Sequence, residues 1–585
     1  MKYRWEFRSC DATDTIHRLQ RDLNDLPEPL ARSLVLRGIE TFDQARHYFR
    51  PSPEHLHDPF LMQDMDAAAT RVLEAIGRRE RVLVYGDYDV DGTTATTLMV
   101  SFLRMQGLEV TFFIPHRFEH GYGLCEAGFD AAAAFGATLV VALDCGITAI
   151  EQAEYAKAKG IDLIICDHHK PKETLPDAVA VLDPKRADCP YPFKELTGCG
   201  LGFKLAQAVL QRQAQPMEEA FQYLDLVAIS TASDIVPLNG ENRVLMREGL
   251  RRLQQHPRLG LRKIAEHARV DLSTCATRQI VFTVGPRINA AGRLGSAHLA
   301  VDLMLAEDPA EADSLAQQLE TMNSERRLID QETLAEAQRQ AEIQLTSKTR
   351  HALVLHQPHW HQGVVGIVAS RIVEQFYKPA VMLTSYEGGV KGSARSIEGV
   401  SIFQALTECK DLLNAFGGHD YAAGVSLDEA KVPAFRERFD AAVGKRIQPE
   451  MLYPIIRIDA KVDVSSINGR FWSVLKQFAP FGPDNKTPIF MADDLQVVGR
   501  PRKVGQDGAH LKFRVRSTAA PQSVPMEVIG YRMRESFNAL QESWYRGQPL
   551  ELLFSVQENH WRGQTTLQLR ARDLRLSKNG ERPAA

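Results

Sequence analysis

Residues 82–94, VLVYGDYDVDGTT, leave this chain few ways to fold. Val82 to Tyr85 is a short apolar run of the kind that forms a buried parallel strand. It stops at Gly86. Three carboxylates follow at alternate positions, Asp87, Asp89 and Asp91. Gly92 opens a turn, and Thr93 or Thr94 can cap a helix over 95–105. In open α/β sheets ligands gather at the carboxyl ends of the strands. Three aspartates there repel one another and add nothing to a hydrophobic core. A divalent cation would remove the repulsion, and hard cations prefer carboxylate oxygen. The alternative is a solvated acidic turn.

Two more strand ends weigh against that alternative. TLVVAL at 138–143 runs into Asp144, Cys145 and Gly146, and IDLIIC at 161–166 runs into Asp167, His168 and His169. An apolar helix over 223–233 is followed by Asp234. Acidic and imidazole groups therefore recur at one edge of one predicted sheet. The set suffices for two metal ions bridged by a carboxylate, an arrangement that splits phosphate esters.

DYDVDG, LDCG, DHH and SDIV, in that order, resemble the four motifs of the DHH phosphoesterase superfamily. GPRINAAGR at 285–293, HQGVVGIVASR at 361–371, GSARS at 392–396 and GGHDYAAG at 417–424 are similar to its RecJ branch. The likeness runs from about Leu34 to about Leu576. Many members carry a metal-binding histidine four residues before the middle aspartate, where this chain has Tyr85; Asp87 is the candidate substitute.

The resemblance implies an α/β fold. A parallel-sheet DHH domain is joined by a long helix to a smaller α/β DHHA1-type domain, followed by a β-barrel of the OB type. It also implies a two-metal phosphodiesterase that removes nucleotides from the 5′ end of single-stranded DNA, in repair and recombination. The cofactors would be two divalent cations, Mn2+ or Mg2+. Asp89, Asp144 and Asp87 would hold one. Asp91, Asp144, His168 and Asp234 would hold the other, with Asp144 bridging. Asp144, His168, His169 and Asp167 form the implied catalytic set, His169 touching phosphate and Asp167 orienting the histidines. A single-strand DNA-binding protein and a helicase are implied partners, because an exonuclease confined to single strands needs something to expose them. Two rivals remain: a DHH phosphoesterase for short oligonucleotides, cyclic dinucleotides or polyphosphate, and a catalytically dead DNA-binding scaffold.

The expected domains follow from the rest of the chain. Residues 1–60 read as a proline-punctuated helical lead-in packed on the next domain, with Thr41 as an N-cap. Residues 61–308 alternate strand and helix, as a parallel sheet with right-handed crossovers requires, before turning mostly helical. GPRINAAGR is expected between helical stretches, with Arg287, Asn289 and Arg293 toward substrate. Residues 309–348 read as an amphipathic connecting helix. Residues 349–446 open a second α/β lobe in which glycines surround His361, Ser370, Arg371, Ser393, Arg395, Gly418 and His419. Glycine admits a ligand close to the backbone, and arginine grips phosphate through two bonds at once. These residues are the expected 5′-phosphate pocket.

Residues 450–577 are strand-rich, and HLKFRVR at 510–516 alternates apolar positions with Lys512, Arg514 and Arg516. A barrel with a basic face and aromatics nearby (Trp544, Phe554, Trp561) would bind single strands. The net charge of −4 hides an asymmetry: residues 500–585 carry 15 Lys+Arg against 8 Asp+Glu. Such a basic module suits a polyanion. The tail, 578–585, is expected to be disordered. The eight cysteines form no CxxC pair, which excludes zinc-finger and thioredoxin spacings. With no apolar leader and no phosphate loop of the GxxxxGK[ST] type, a cytoplasmic enzyme that is not an ATP motor is expected.

Overall fold

The computed structural model describes residues 3–347, 350–386, 388–561 and 563–577, which form two compact units. Residues 56–454 make one. Residues 1–55 and 455–585 together make the other. The expected tail at 578–585 lies outside the described residues.

The 56–454 unit is built on a parallel sheet. Among the described residues its strands lie in the order Glu109–Phe113, Arg81–Gly86, Leu139–Leu143, Asp162–Cys166, Ala180–Leu182. The three central strands are buried on both faces, which is why they read as unbroken apolar runs. Parallel pairing puts every strand's carboxyl end at one edge. The helix after the first motif spans Val90–Met105, five residues earlier than the threonines suggested. Asp89 is its N-cap, accepting from the N–H groups of Asp91 (2.8 Å) and Gly92 (3.2 Å). A carboxylate satisfies the free donors of a first turn at least as well as threonine does.

GPRINAAGR does not lie between helices. It is the helix Gly285–Leu294, with Arg287, Ile288, Ala290, Ala291 and Gly292 buried. A side chain at Gly292 would strike the Tyr88 backbone, so this helix lies directly on the DYD loop. The connecting helix, Pro309–Ser347, leads to a mixed sheet ordered Ala415–Gly418, Ala422–Leu427, Gly389–Arg395, Ala380–Tyr386, Leu353–His356. The helix Gln362–Phe376 packs on it.

In the other unit the N-terminal segment is not simply helical. Arg4–Phe7 is a strand, paired in parallel with Ile455–Ile458. Ile16, Leu19, Leu30 and Leu34 share one core with Phe471, Phe490 and Phe554. Thr41 does cap the helix Phe42–Phe49, in a capping box with Gln44. The barrel sheet runs Ala460–Lys461, Phe490–Val497, Leu550–Trp561, Gln564–Leu576, Met526–Gly530, His510–Ser517, Arg502–Val504. It closes where Phe490–Val497 also pairs with His510–Ser517. Two aromatics expected near its binding face are elsewhere. Phe554 is fully buried and Trp544 packs against the core. No described helix is long and apolar enough to cross a membrane.

Candidate metal centre

Four of the five parallel strands end in an aspartate: Asp87, Asp144, Asp167 and Asp183. Three groups of potential ligand atoms lie there, each group within 4.8 Å: Asp87, Asp89 and Asp144; Asp91, His168 and Asp234; Asp144, His168 and His169. Asp144 joins the first group to the third. His168 Nε2 is 3.1 Å from Asp144 and 3.6 Å from both Asp91 and Asp234. All six expected metal residues are thus brought together.

The chain holds these carboxylates with its own backbone. Asp91 accepts from the N–H groups of Gly198 (2.7 Å) and Cys199 (2.8 Å) at the start of the helix Gly198–Arg212, and from the Ser230 hydroxyl (2.7 Å). The positive end of that helix favours a negative charge. Asp144 sits at φ +62°, a left-handed conformation that costs an ordinary side chain energy. A Cβ on Gly198 would lie 2.6 Å from Asp144 Cβ, so only glycine lets the helix approach. Asp167 turns inward: it accepts from the N–H groups of Ile147, His168 and His169 and pairs with His169 Nδ1 at 2.7 Å. It therefore orients the His169 ring, and touches His168 only at the backbone.

Like charges held in a buried place resist ionisation. Burial, then Asp89, pushes the Asp87 carboxyl well above its ordinary range; burial, then Asp91, does the same to Asp144. Burial, then Asp91, lifts Asp234 to about 8. Burial lowers His168, which keeps its ring neutral and able to ligate. Burial also works against protonated His169, yet its bond to Asp167 outweighs that and holds it at about 9. Among the described residues, the Asp87 Oδ1 and His168 Nδ1 atoms are buried with no hydrogen-bond partner. This oxygen-rich set with one neutral imidazole fits Mn2+ or Mg2+. Tyr85 is outside the set: its hydroxyl donates to the Gly123 carbonyl (2.9 Å).

The second lobe brings some of the expected phosphate contacts together. Arg395 donates to Ser393 Oγ at 2.6 Å and pairs in register with Ala422, whose carbonyl accepts from the His419 N–H. His419 lines a pocket of about 320 Å³ with Tyr122, Asp167, His169 and Lys170, so both lobes contribute to it. His361 caps the helix Gln362–Phe376, and Arg293 donates to the Gly363 carbonyl (3.0 Å) in the same turn. Burial, then the charges of Arg117 and Arg326, lowers Arg293 to about 10. The Ser370 hydroxyl donates to the Gly366 carbonyl (3.2 Å), and Gly418 lies in the hairpin strand at φ +141°.

Two arginines are turned to other partners. Arg371 pairs with Asp330 on the connecting helix (3.0 Å), and Arg287 with Glu320 (2.5 Å). Asn289 is half-buried on the Arg287 helix. Lys512 and Arg514 belong to the barrel unit, Lys512 paired with Glu527 at 3.0 Å and Arg514 exposed.

Sequence reading missed Asp183, whose carboxyl burial raises to about 7. Its signal was the same one, an apolar strand ending in aspartate. It also missed Asn323, Arg326, Asp330 and Thr333, a buried polar stripe at helical spacing on the connecting helix.

Comparison with known proteins agrees with this geometry. Residues 81–231 match the DHH family N-terminal domain, 349–445 the DHHA1 domain and 458–573 the RecJ OB domain. The single-stranded-DNA-specific exonuclease RecJ of Bacillus subtilis is 36% identical over 579 residues, 99% of this chain and 71% of that protein. The crystal structure of RecJ from Thermus thermophilus with Mn2+ superposes with a TM-score of 0.81 at 28% identity, covering 98% of this chain and 80% of that one. The structure of RecJ from the same organism with Mg2+ gives 0.75 at 28% identity, covering 98% and 79%.

Proposed function

Because this chain belongs to the RecJ family of DHH phosphoesterases, we propose that it is a metal-dependent exonuclease that hydrolyses single-stranded DNA from the 5′ end, in repair and recombination. The observation that carries the reading is the convergence of Asp87, Asp89, Asp91, Asp144, His168 and Asp234 at one strand edge. Asp87, Asp89 and Asp144 would hold one divalent cation, and Asp91, Asp144, His168 and Asp234 the other. Such ions polarise a phosphodiester and make water a nucleophile at neutral pH.

The rest falls to the chain's own groups. Asp91 and Asp89 stay in place because helix starts hold them. His169, kept protonated by Asp167, presents a positive ring to the scissile phosphate from the pocket it shares with His419. Arg395, Ser393 and His419 take the terminal 5′-phosphate, which carries more charge than an internal diester. Arg293 bridges the lobes where the strand enters.

The match to a RecJ OB domain favours a polymer over the short-oligonucleotide alternative, since a small substrate needs no second binding module. A cytoplasmic setting, a single-strand DNA-binding protein and a helicase complete the proposal. The test is degradation of end-labelled single strands with Mn2+. Release of 5′ label first, abolished by chelation and resisted by blunt duplex, supports it. Digestion from the 3′ end, or activity confined to dinucleotides, overturns it.

A further inference from the structure

The barrel has a face whose side chains line up across strands. Arg502 pairs in register with Lys512, Lys512 with Ile529, and Ile529 with Arg570. Register partners point to one side of a sheet. Leu511, Phe513, Val528 and Leu569, on the other side, are buried in the core. The row therefore faces away from that core and carries three cations around a buried Ile529, with Arg514 beside it and Glu527 opposing.

Tyr531 stands two residues beyond Ile529, at the end of this row. The residue is 48% exposed. The ring is also held in place. The Arg570 guanidinium lies 5.3 Å from its centroid, and the His510 ring meets it edge-on at 5.3 Å. His510 is fixed in turn by the Arg532 N–H (3.1 Å). Lys503, Arg532 and Arg534 line an adjoining pocket of about 480 Å³. A half-exposed flat ring set among cations matches what an unpaired base and its flanking phosphates require.

We propose that Tyr531 is a stacking platform for an unpaired base of single-stranded DNA, with Arg502 and Lys512 on the neighbouring phosphates. The proposal rests on the exonuclease reading for the identity of the polymer. It assigns the binding to a residue that the aromatic pattern of the sequence did not single out.

The experiment measures binding by the full chain, with Mn2+, to a long phosphorothioate-linked single strand that resists hydrolysis. Tyr531→Ala and Tyr531→Leu should each weaken binding about five- to a hundredfold, the range found for losing one stacked base. Tyr531→Phe and Tyr531→Trp should bind like the unaltered protein, because the ring matters and the hydroxyl does not. Lys512→Ala should reduce the salt slope by about 0.7, while Tyr531→Ala leaves the slope unchanged. Tyr531→Leu binding as well as Tyr531→Phe overturns the platform, as does a loss in Tyr531→Phe equal to that in Tyr531→Ala. The exonuclease reading fails separately, by absence of Mn2+-dependent degradation in the unaltered protein, since stacking is read from binding alone.

Discussion

The two sheets of the 56–454 unit handle charge in opposite ways. The parallel sheet gathers carboxylates at one edge and holds them largely with backbone N–H groups, so the charges stay close. The mixed sheet and the helix packed on it carry cations: Arg395 on the sheet is met by Ser393, and Arg371 on the helix by Asp330 of the connecting helix. Their glycines differ too. Gly198 is pressed against Asp144, whereas a side chain on Gly417 or Gly424 would meet nothing within 4 Å. One edge is a rigid cage that demands a cation. The other is an open face that can receive an anion's backbone.

The largest effect that sharpens this contrast is in the cage. Asp144→Ala should lower Mn2+-dependent nucleotide release by several orders of magnitude, because one carboxylate serves both ligand groups. Binding of a single strand should persist. A variant that kept a tenth or so of the activity would show that Asp144 is not shared. Gly198→Ala should act through the same residue. Overpacking of this kind destabilises by about 1–3 kcal/mol. Thermal unfolding and a fall in activity should both report it, whereas Gly417→Ala should stay within about 0.5 kcal/mol. Equal shifts in the two variants would erase the distinction between packed and open glycines.

The open face gives a smaller, selective effect. Arg395→Ala should reduce the preference for a 5′-phosphate over a 5′-hydroxyl about ten- to a hundredfold, as losing a charged hydrogen bond does. Activity on the hydroxyl-ended strand should barely change. An unchanged preference would move end recognition to Arg293, which reaches the second lobe through its bond to the Gly363 carbonyl.

The smallest effect is thermodynamic. Raised carboxyls such as Asp234, at about 8, bind protons in the folded protein that they lose when unfolded. Metal-free stability should therefore fall as pH rises from about 4 to about 8. A bound cation replaces those protons, so the increase in melting temperature on adding Mn2+ should grow over the same window. A metal-induced increase that is flat with pH would mean the carboxyls are not the ligands.

The acid cage was legible in the chain because each ligand follows a local signal. An apolar run, then an aspartate, marks a parallel strand's carboxyl end, and parallel pairing does the rest. Asp183 obeys the same rule behind a strand of only three residues, too short to stand out. The cationic face was less legible. Arginine and glycine say that phosphate can be bound, but whether Arg371 or Arg395 is turned to the opening depends on Asp330 and Ser393, distant in sequence.

What local chemistry decided alone was most of the strand and helix order and the edge on which the acidic and imidazole groups fall, since periodicity and end signals act over a few residues. Tertiary packing decided the rest. It made GPRINAAGR a buried helix against the DYD loop, because Gly292 allows that approach. It enclosed Phe554 in the barrel core and left Tyr531 outside. It joined residues 1–55 to a barrel that begins some four hundred residues later, through the pairing of Arg4–Phe7 with Ile455–Ile458. Those outcomes turn on which distant surfaces fit together, and no short window of residues carries that information.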